Sequence, residues 1–244
     1  QGERAEGAVL DGTVSDLLRS MARAGIERCV ICSIATAPKQ FEPILRWSLS
    51  IRSERIIPFA SVHPDAADPR AQVERIAESG IPGVKLHAQY QGFDLADRTA
   101  WPLYEAVADR DLILALHCGL DFGFPFDDER SHPTKALEMH CAFPQMRIVA
   151  THMGGWRRWD AVLETLAGTG VYFETSYSFG CGDADVLQKI IARHSPERIL
   201  FGTDSPWRDQ AETLARVREW FPDPAVRRLV LAENAQRLLA GTGR

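Results

Sequence analysis

Four short segments end in side chains that can bind a metal ion or move a proton. LILALHCG carries His117, RIVATHMGG carries His152, ILFGTDSP carries Asp204, and GVKLH carries Lys85 and His87 two residues apart. Each segment is an apolar run of strand length, and residues two apart on a strand share a face. Leu200 and Gly202 therefore precede Asp204 on one face, Ile113 and Ala115 precede His117, and Ile148 and Ala150 are expected to precede His152. Small or apolar side chains leading to a polar one describe a core-facing row that stops at a site. Two imidazoles and a carboxylate are the nitrogen and oxygen donors that zinc or a similar divalent ion accepts. A buried lysine beside them costs desolvation unless it meets an anion. Lys85 is thus expected to contact substrate or site anions, or else to serve a structural ion pair, and His87 is a weaker candidate of the same kind.

Lesser candidates surround these. His132 sits in LDFGFPFDDERSHP, inside the one long interval between apolar runs, where a loop could supply substrate contacts. Phe122, Phe124, Phe126 and Arg130 are guesses at lid residues in the same loop. Trp156, Arg157, Trp207 and Arg208 lie just beyond strand ends and suit an aromatic anion, or equally the capping of a barrel. Glu174 and Ser176 in VYFETS could also face the mouth. His63, followed by proline, fits a loop entry, while His140 and His194 are expected on solvated helical faces. Cys29 and Cys32 form CVIC, but residues three apart on a strand face opposite sides, so the pair is assigned to core. The five cysteines are expected to be reduced, buried thiols.

The elements that must position these groups follow a rhythm. Seven apolar runs start at 29, 56, 83, 112, 147, 171 and 199, with helical stretches between them. Asp68-Pro69 opens one helix that Gly80 closes, and Thr13 with Asp16 resembles a capping box opening another that ends at Gly25. Repeated βα units build a parallel sheet, either closed as a (β/α)8 TIM-type barrel or open and doubly wound. Polar residues at the carboxyl ends of nearly every strand, and no glycine-rich phosphate fingerprint, favour the barrel. An eighth strand is wanting, since only Gly7-Ala8-Val9-Leu10 precedes Cys29. The 244 residues, 45% hydrophobic and 25% charged, suit one large domain over residues 1–244. A net charge of −5 gives no basic surplus for nucleic acid, and no apolar run approaches a membrane span. A cytoplasmic location is the expectation.

GVKLH, LHCG, THMGG, FGTDSP and the final ENAQRLL together resemble the amidohydrolase superfamily, in its amidohydrolase-related branch. The resemblance implies a distorted (β/α)8 barrel with a divalent metal, most simply zinc, with manganese or iron as alternatives, at its mouth. It implies His117 and Asp204 as metal ligands, Asp204 also handling a proton. It implies that His152 polarises the substrate or binds a second metal. Lys85 stands where two-metal members use a carboxylated lysine, a bridge that one-metal members do not need. The family's first strand carries His-x-His, and no such pair occurs in these residues. The resemblance therefore implies an upstream strand outside this sequence, which would make the barrel domain N-terminally incomplete here. The alternative is a metal-poor, inactive relative.

The leading functional expectation is a metal-dependent hydrolase acting on a small carbonyl substrate such as a lactone, amide or ester. A divalent ion can bring the pKa of bound water from ~16 towards ~7, with Asp204 as base. The runner-up is a metal-dependent nonoxidative decarboxylase of an aromatic or dienoic acid. A third, of another class, is a noncatalytic barrel that binds a small molecule or partner. Trp47, Trp101 and Trp220 are expected to serve packing or subunit contacts in a homo-oligomer.

Overall fold

The computed structural model of the chain describes residues 7–180 and 183–241. Seven parallel strands follow one another in chain order: β1 (Cys29–Cys32), β2 (Ile56–Phe59), β3 (Gly83–Leu86), β4 (Ile113–Leu116), β5 (Arg147–Ala150), β6 (Tyr172–Glu174) and β7 (Ile199–Leu200). β1 pairs with β2, and β3 through β7 form a five-stranded sheet with neighbours in sequence order. A single parallel bridge, Ala60 to Val84, joins the two. Each strand returns through at least one helix, which is the winding of a (β/α)8 barrel. Among the described residues β1 has only β2 as a neighbour and β7 only β6. Among these residues the strand layer is open between β7 and β1, while the helix Val14–Ala24 lies against Gln210–Trp220 in the outer layer there.

The weak strand candidate Gly7-Ala8-Val9-Leu10 does not form a strand. That segment is irregular, and the amides of Val9 and Leu10 both donate to the carbonyl of Pro206, at 2.8 and 3.2 Å. It is tied to the loop that follows β7 instead of lying in the sheet.

Helix boundaries follow the capping chemistry. Thr13 accepts from the Asp16 amide and Gly25 closes the helix at φ 70°. The reciprocal arm of the box is not made, because Asp16 accepts from the Asp11 amide instead. Asp68 accepts from the Ala71 amide and Pro69 fills the first turn of Pro69–Glu78.

Two apolar layers result from the alternation of side chains. Val84, Leu86, Leu114, Leu116, Ile148, Ala150, Phe173 and Ile199 face the helices, in the larger core. Phe59, Ile113, Ala115, Val149 and Leu200 face the barrel interior together with Leu238. The interior row of β4 leads to His117 and that of β7 to Asp204, as the alternation predicts. On β5 the phase is the other one. Val149, not Ile148 and Ala150, faces inward, so His152 reaches the mouth by a different device described below.

β1 departs from expectation. Its residues alternate between half-buried and exposed, with Val30 and Cys32 exposed, and among the described residues no strand covers its outer edge. CVIC is therefore not core, and of the described cysteines only Cys118 is buried; Cys181 lies outside the described residues. His194 is also not on a solvated face. Its ring is buried and stacks on Phe173 at 3.9 Å, and its Nδ1 accepts from the Gly168 amide at 3.1 Å.

Burial pushes the His194 pKa down to about 4. A histidine held neutral when folded binds fewer protons than its unfolded counterpart below pH 6.5. Its contribution is present above that pH and is lost as pH falls towards 4. Replacing His194 with glutamine is expected to flatten the acid-side decline in Tm between pH 6.5 and 4, removing up to ~3 kcal/mol of pH dependence. A thermal-melt series in both proteins checks this, and parallel curves would refute it.

Candidate metal centre

The carboxyl ends of the strands open on a cavity of about 950 Å³. It is lined by Lys85, His87, His117, Asp121, His152, Trp156, Glu174, Ser176, Asp204 and Trp207, and it continues down the open side between β7 and β1. Lys85, His87, His117, His152, Asp204, Trp156 and Trp207 thus share one space. His132 does not line it. It caps the helix Pro133–Ala142, with Nδ1 against the Thr134 hydroxyl at 2.8 Å and Nε2 3.8 Å from Glu129. The proline that follows it makes a helix start, and an N-cap side chain turns towards its own first turn rather than the mouth.

Three rings form the floor of the site. His87 stacks on His117 with centroids 3.9 Å apart and planes 11° from parallel, and His152 meets His117 edge-on at 5.0 Å. All three are buried. Desolvation, helped by the neighbouring Lys85 ammonium, pushes His87 down to about 2 and His152 down to about 4. It also holds His117, which further faces His87 and His152, well below its ordinary value. The three imidazoles are therefore neutral at physiological pH and available as ligands.

His152 lies beyond the last residue of β5 in a left-handed conformation, φ 60°, as does Met153 at φ 51°. This turn swings the imidazole into the mouth from a strand whose alternation would not have put it there. Asp204 has the same conformation, φ 53°. Left-handed backbone at bulky residues is costly, and such strain concentrates at functional sites. Trp159 Nε1 donates to the His152 carbonyl at 2.9 Å and helps to hold the turn.

Hydrogen bonds assign the ring protons. His117 Nε2 lies 3.0 Å from the Leu120 carbonyl, which can only accept, so the proton of His117 is on Nε2. His152 Nδ1 lies 3.2 Å from the Ser176 carbonyl, so its proton is on Nδ1. The two remaining nitrogens, His117 Nδ1 and His152 Nε2, face each other at 3.2 Å. Each then presents a lone pair to the other. Two neutral acceptors at that distance repel unless a cation lies against them, and this donor set fits a divalent metal ion.

Asp121 is a candidate ligand that strand patterns did not reveal. One donor atom each from His87, His117 and Asp121 lies within 4.8 Å of the others, a group able to hold an ion, and His87 Nε2 is 3.4 Å from Asp121 Oδ2. His117 belongs to both clusters. The only sequence signal for Asp121 is its place four residues after His117 at the head of the long loop.

The carboxylates are tuned in the other direction. Asp204 opens onto the cavity but is crowded by protein, and that desolvation pushes its carboxyl up to about 6 against the pull of Lys85. Burial likewise raises Glu174 to about 7, with Ser176 hydrogen bonds and Lys85 opposing and Asp204 reinforcing the rise. Lys85 itself is buried on the interior face of β3, and its ammonium has no hydrogen bond or ion pair among the described residues. Trp156 packs on Phe122 at 4.3 Å, and the Trp156 Nε1 and Thr151 Oγ1 atoms are buried without partners among the described residues. The guanidinium of Arg157 lies over Trp156 and that of Arg208 over Tyr177.

The profile of the amidohydrolase family matches residues 10–240. The chain belongs to the amidohydrolase family. In sequence, this amidohydrolase is 37% identical over 78 residues to D-galactarolactone isomerase of Agrobacterium fabrum, a match covering 28% of the chain and 27% of the isomerase. In fold it resembles a TIM-barrel protein of Bordetella bronchiseptica, with TM-score 0.71, 23% identity, and 95% and 84% of the two chains covered. It also resembles the 5-carboxyvanillate decarboxylase of Novosphingobium aromaticivorans, determined with bound manganese. There the TM-score is 0.71 at 14% identity, covering 92% of this chain and 80% of that one. The barrel fold expected from the strand rhythm is therefore that of these relatives. Among the described residues, no helix is long and apolar enough to cross a membrane.

Proposed function

We propose that this amidohydrolase is a metal-dependent hydrolase that opens a small carbonyl substrate bearing a carboxylate, a lactone before an amide or ester. The observation that carries the reading is the 3.2 Å approach of His117 Nδ1 to His152 Nε2, beside a buried Lys85 whose ammonium has no hydrogen bond or ion pair among the described residues. His117 and His152 would hold the ion, with Asp204 or the His87 and Asp121 pair completing its ligands. When bound, a divalent ion supplies Lewis acidity and makes a coordinated water acidic near neutral pH. The chain's own groups do the rest. Asp204, with a carboxyl near 6, is ionised at neutral pH and close enough to it to take a proton from water and return it to a leaving oxygen. Lys85 meets the substrate carboxylate inside the barrel, where its burial strengthens the pairing. Trp156 and Phe122 form the apolar wall, with Trp207 at the rim.

The sequence likeness to a lactone isomerase supports a lactone-type carbonyl, and manganese in a fold relative supports manganese beside zinc and iron as candidate ions. A second reading, nonoxidative decarboxylation of an aromatic acid, is favoured by the aromatic wall and the cations over it. One experiment separates them. Protein reconstituted with zinc or manganese is given a panel of carboxylated lactones and hydroxylated benzoic acids, with acid release and carbon dioxide followed in parallel. Acid release from a lactone is the expected outcome. Carbon dioxide from a benzoate would replace the hydrolase reading with the lyase one, and absence of metal uptake under saturating ion would overturn both.

A further inference from the structure

Glu174 and Ser176 are left over by that mechanism, yet both are built into the wall of the cavity. Ser176 donates its amide to Glu174 Oε1 at 2.6 Å and its hydroxyl to Glu174 Oε2 at 2.7 Å, so both carboxylate oxygens are engaged by one residue. With its proton committed to Glu174, the Ser176 hydroxyl turns a lone pair towards His152 Nδ1, 3.0 Å away, and the Ser176 carbonyl lies 3.2 Å from the same nitrogen. Both groups accept. Gly202 shows that the carboxyl has a made place: a Cβ there would lie 1.6 Å from Glu174 Oε1 and 2.2 Å from its Cδ. The side chain packs directly on the bare Cα of the residue two before Asp204.

We propose that Glu174 and Ser176 are positioning residues that hold His152 as the Nδ1–H tautomer, so that its Nε2 lone pair always points at His117. Glu174 orients the serine hydroxyl, and the serine presents two acceptors to one ring nitrogen. Hydrogen-bond partners of this kind fix the tautomer and direction of ligating histidines, and losing them typically costs 10–100-fold in metal affinity. In glutamine one of the two oxygens becomes an NH2 group, so it cannot accept from both the Ser176 amide and the hydroxyl. Alanine at 176 removes the hydroxyl while leaving the carbonyl.

The inference rests on His152 facing a cation site, and its test separates the two ideas. Nitrogen-15 NMR of the metal-free protein reads the His152 tautomer whether or not metal binds. The wild type is expected to show a protonated Nδ1 and a bare Nε2; a bare Nδ1 overturns the relay without any variant. Glu174→Gln and Ser176→Ala are expected to mix the tautomers and weaken zinc, measured by chelator competition, by about 10- to 100-fold. The double variant should be no worse than the poorer single one, and Ser176→Thr should restore both signals. Additive losses, or variants that lower Tm while tautomer and zinc affinity stay at the wild-type values, would overturn it. A wild-type protein with the predicted tautomer that takes up no zinc would leave the relay standing and remove the metal reading instead.

Discussion

With His117 replaced by alanine, purified protein is expected to lose its divalent metal and at least about 10³-fold in turnover while keeping its fold. The metal loss follows from position. His117 is the ring shared by the two donor clusters, one with His152 and one with His87 and Asp121. Removing a ligand should cost more affinity than the 10–100-fold typical of an outer-shell partner. The turnover loss follows from the several kcal/mol that Lewis-acid stabilisation supplies at the transition state, each 1.36 kcal/mol being tenfold in rate. Stability of the metal-free form moves differently. The substitution gives up a stacking contact with His87 and one hydrogen bond to Leu120, but it also removes the repulsion between two facing lone pairs. The metal-free variant should therefore melt close to the metal-free wild type, whereas added zinc should raise Tm only in the wild type. Elemental analysis and melts with and without zinc make the test. A variant that retains stoichiometric metal would place the ion elsewhere in the cavity and sink the His117 assignment.

How much of this was legible beforehand depends on the range of the interaction involved. The strand rhythm and the inward rows of β3, β4 and β7 come from alternation within four to six residues, and they place Lys85, His87, His117 and Asp204 correctly in one mouth. Alternation fails where backbone conformation changes phase. His152 reaches the site through left-handed dihedrals at 152 and 153, and apolar letters such as Ile148 and Ala150 carry no trace of which layer they join. Asp121 was invisible for another reason. Its placement depends on a loop folded back by the Leu120 carbonyl and by a bridge to a strand end more than thirty residues away, a tertiary fact with no local period. CVIC misled because the apolar content of a strand says that it is buried somewhere, and here its outer edge has no neighbour among the described residues. The His132 assignment failed because His-Pro is as good a helix start as it is a loop ligand.

Gly119, the glycine of LHCG, should tolerate substitution poorly, and Gly119→Ala is expected to cost about 3 kcal/mol or more. Its φ of 92° lies where side chains are disfavoured, but strain is the smaller part. A Cβ there would stand 2.2 Å from the Trp156 amide nitrogen, 2.3 Å from its carbonyl oxygen and 2.6 Å from the Gly155 carbonyl carbon. All three are backbone, so no side chain can rotate away. Gly119 and Trp156 form the bridge that ties the loop after β4 to the turn after β5. The Gly119 amide donates to Ser131 at 2.8 Å, and its carbonyl accepts from the Ser131 hydroxyl and from Gln89. Forcing the two loops apart moves Leu120, whose carbonyl orients His117, and Trp156, which walls the cavity. A loss of 3 kcal/mol in a chain of this size corresponds to a fall in Tm of roughly 6–12 °C. Gly92 supplies the control, since it also has positive φ, 72°, but a Cβ there meets nothing within 4 Å. Gly92→Ala should cost only the ~1 kcal/mol of backbone strain and leave zinc affinity unchanged. Gly119→Ala should lower both Tm and zinc affinity. Equal and small costs at the two positions would mean that the loops do not approach as closely as the bridge requires, and the orientation of His117 would need another source.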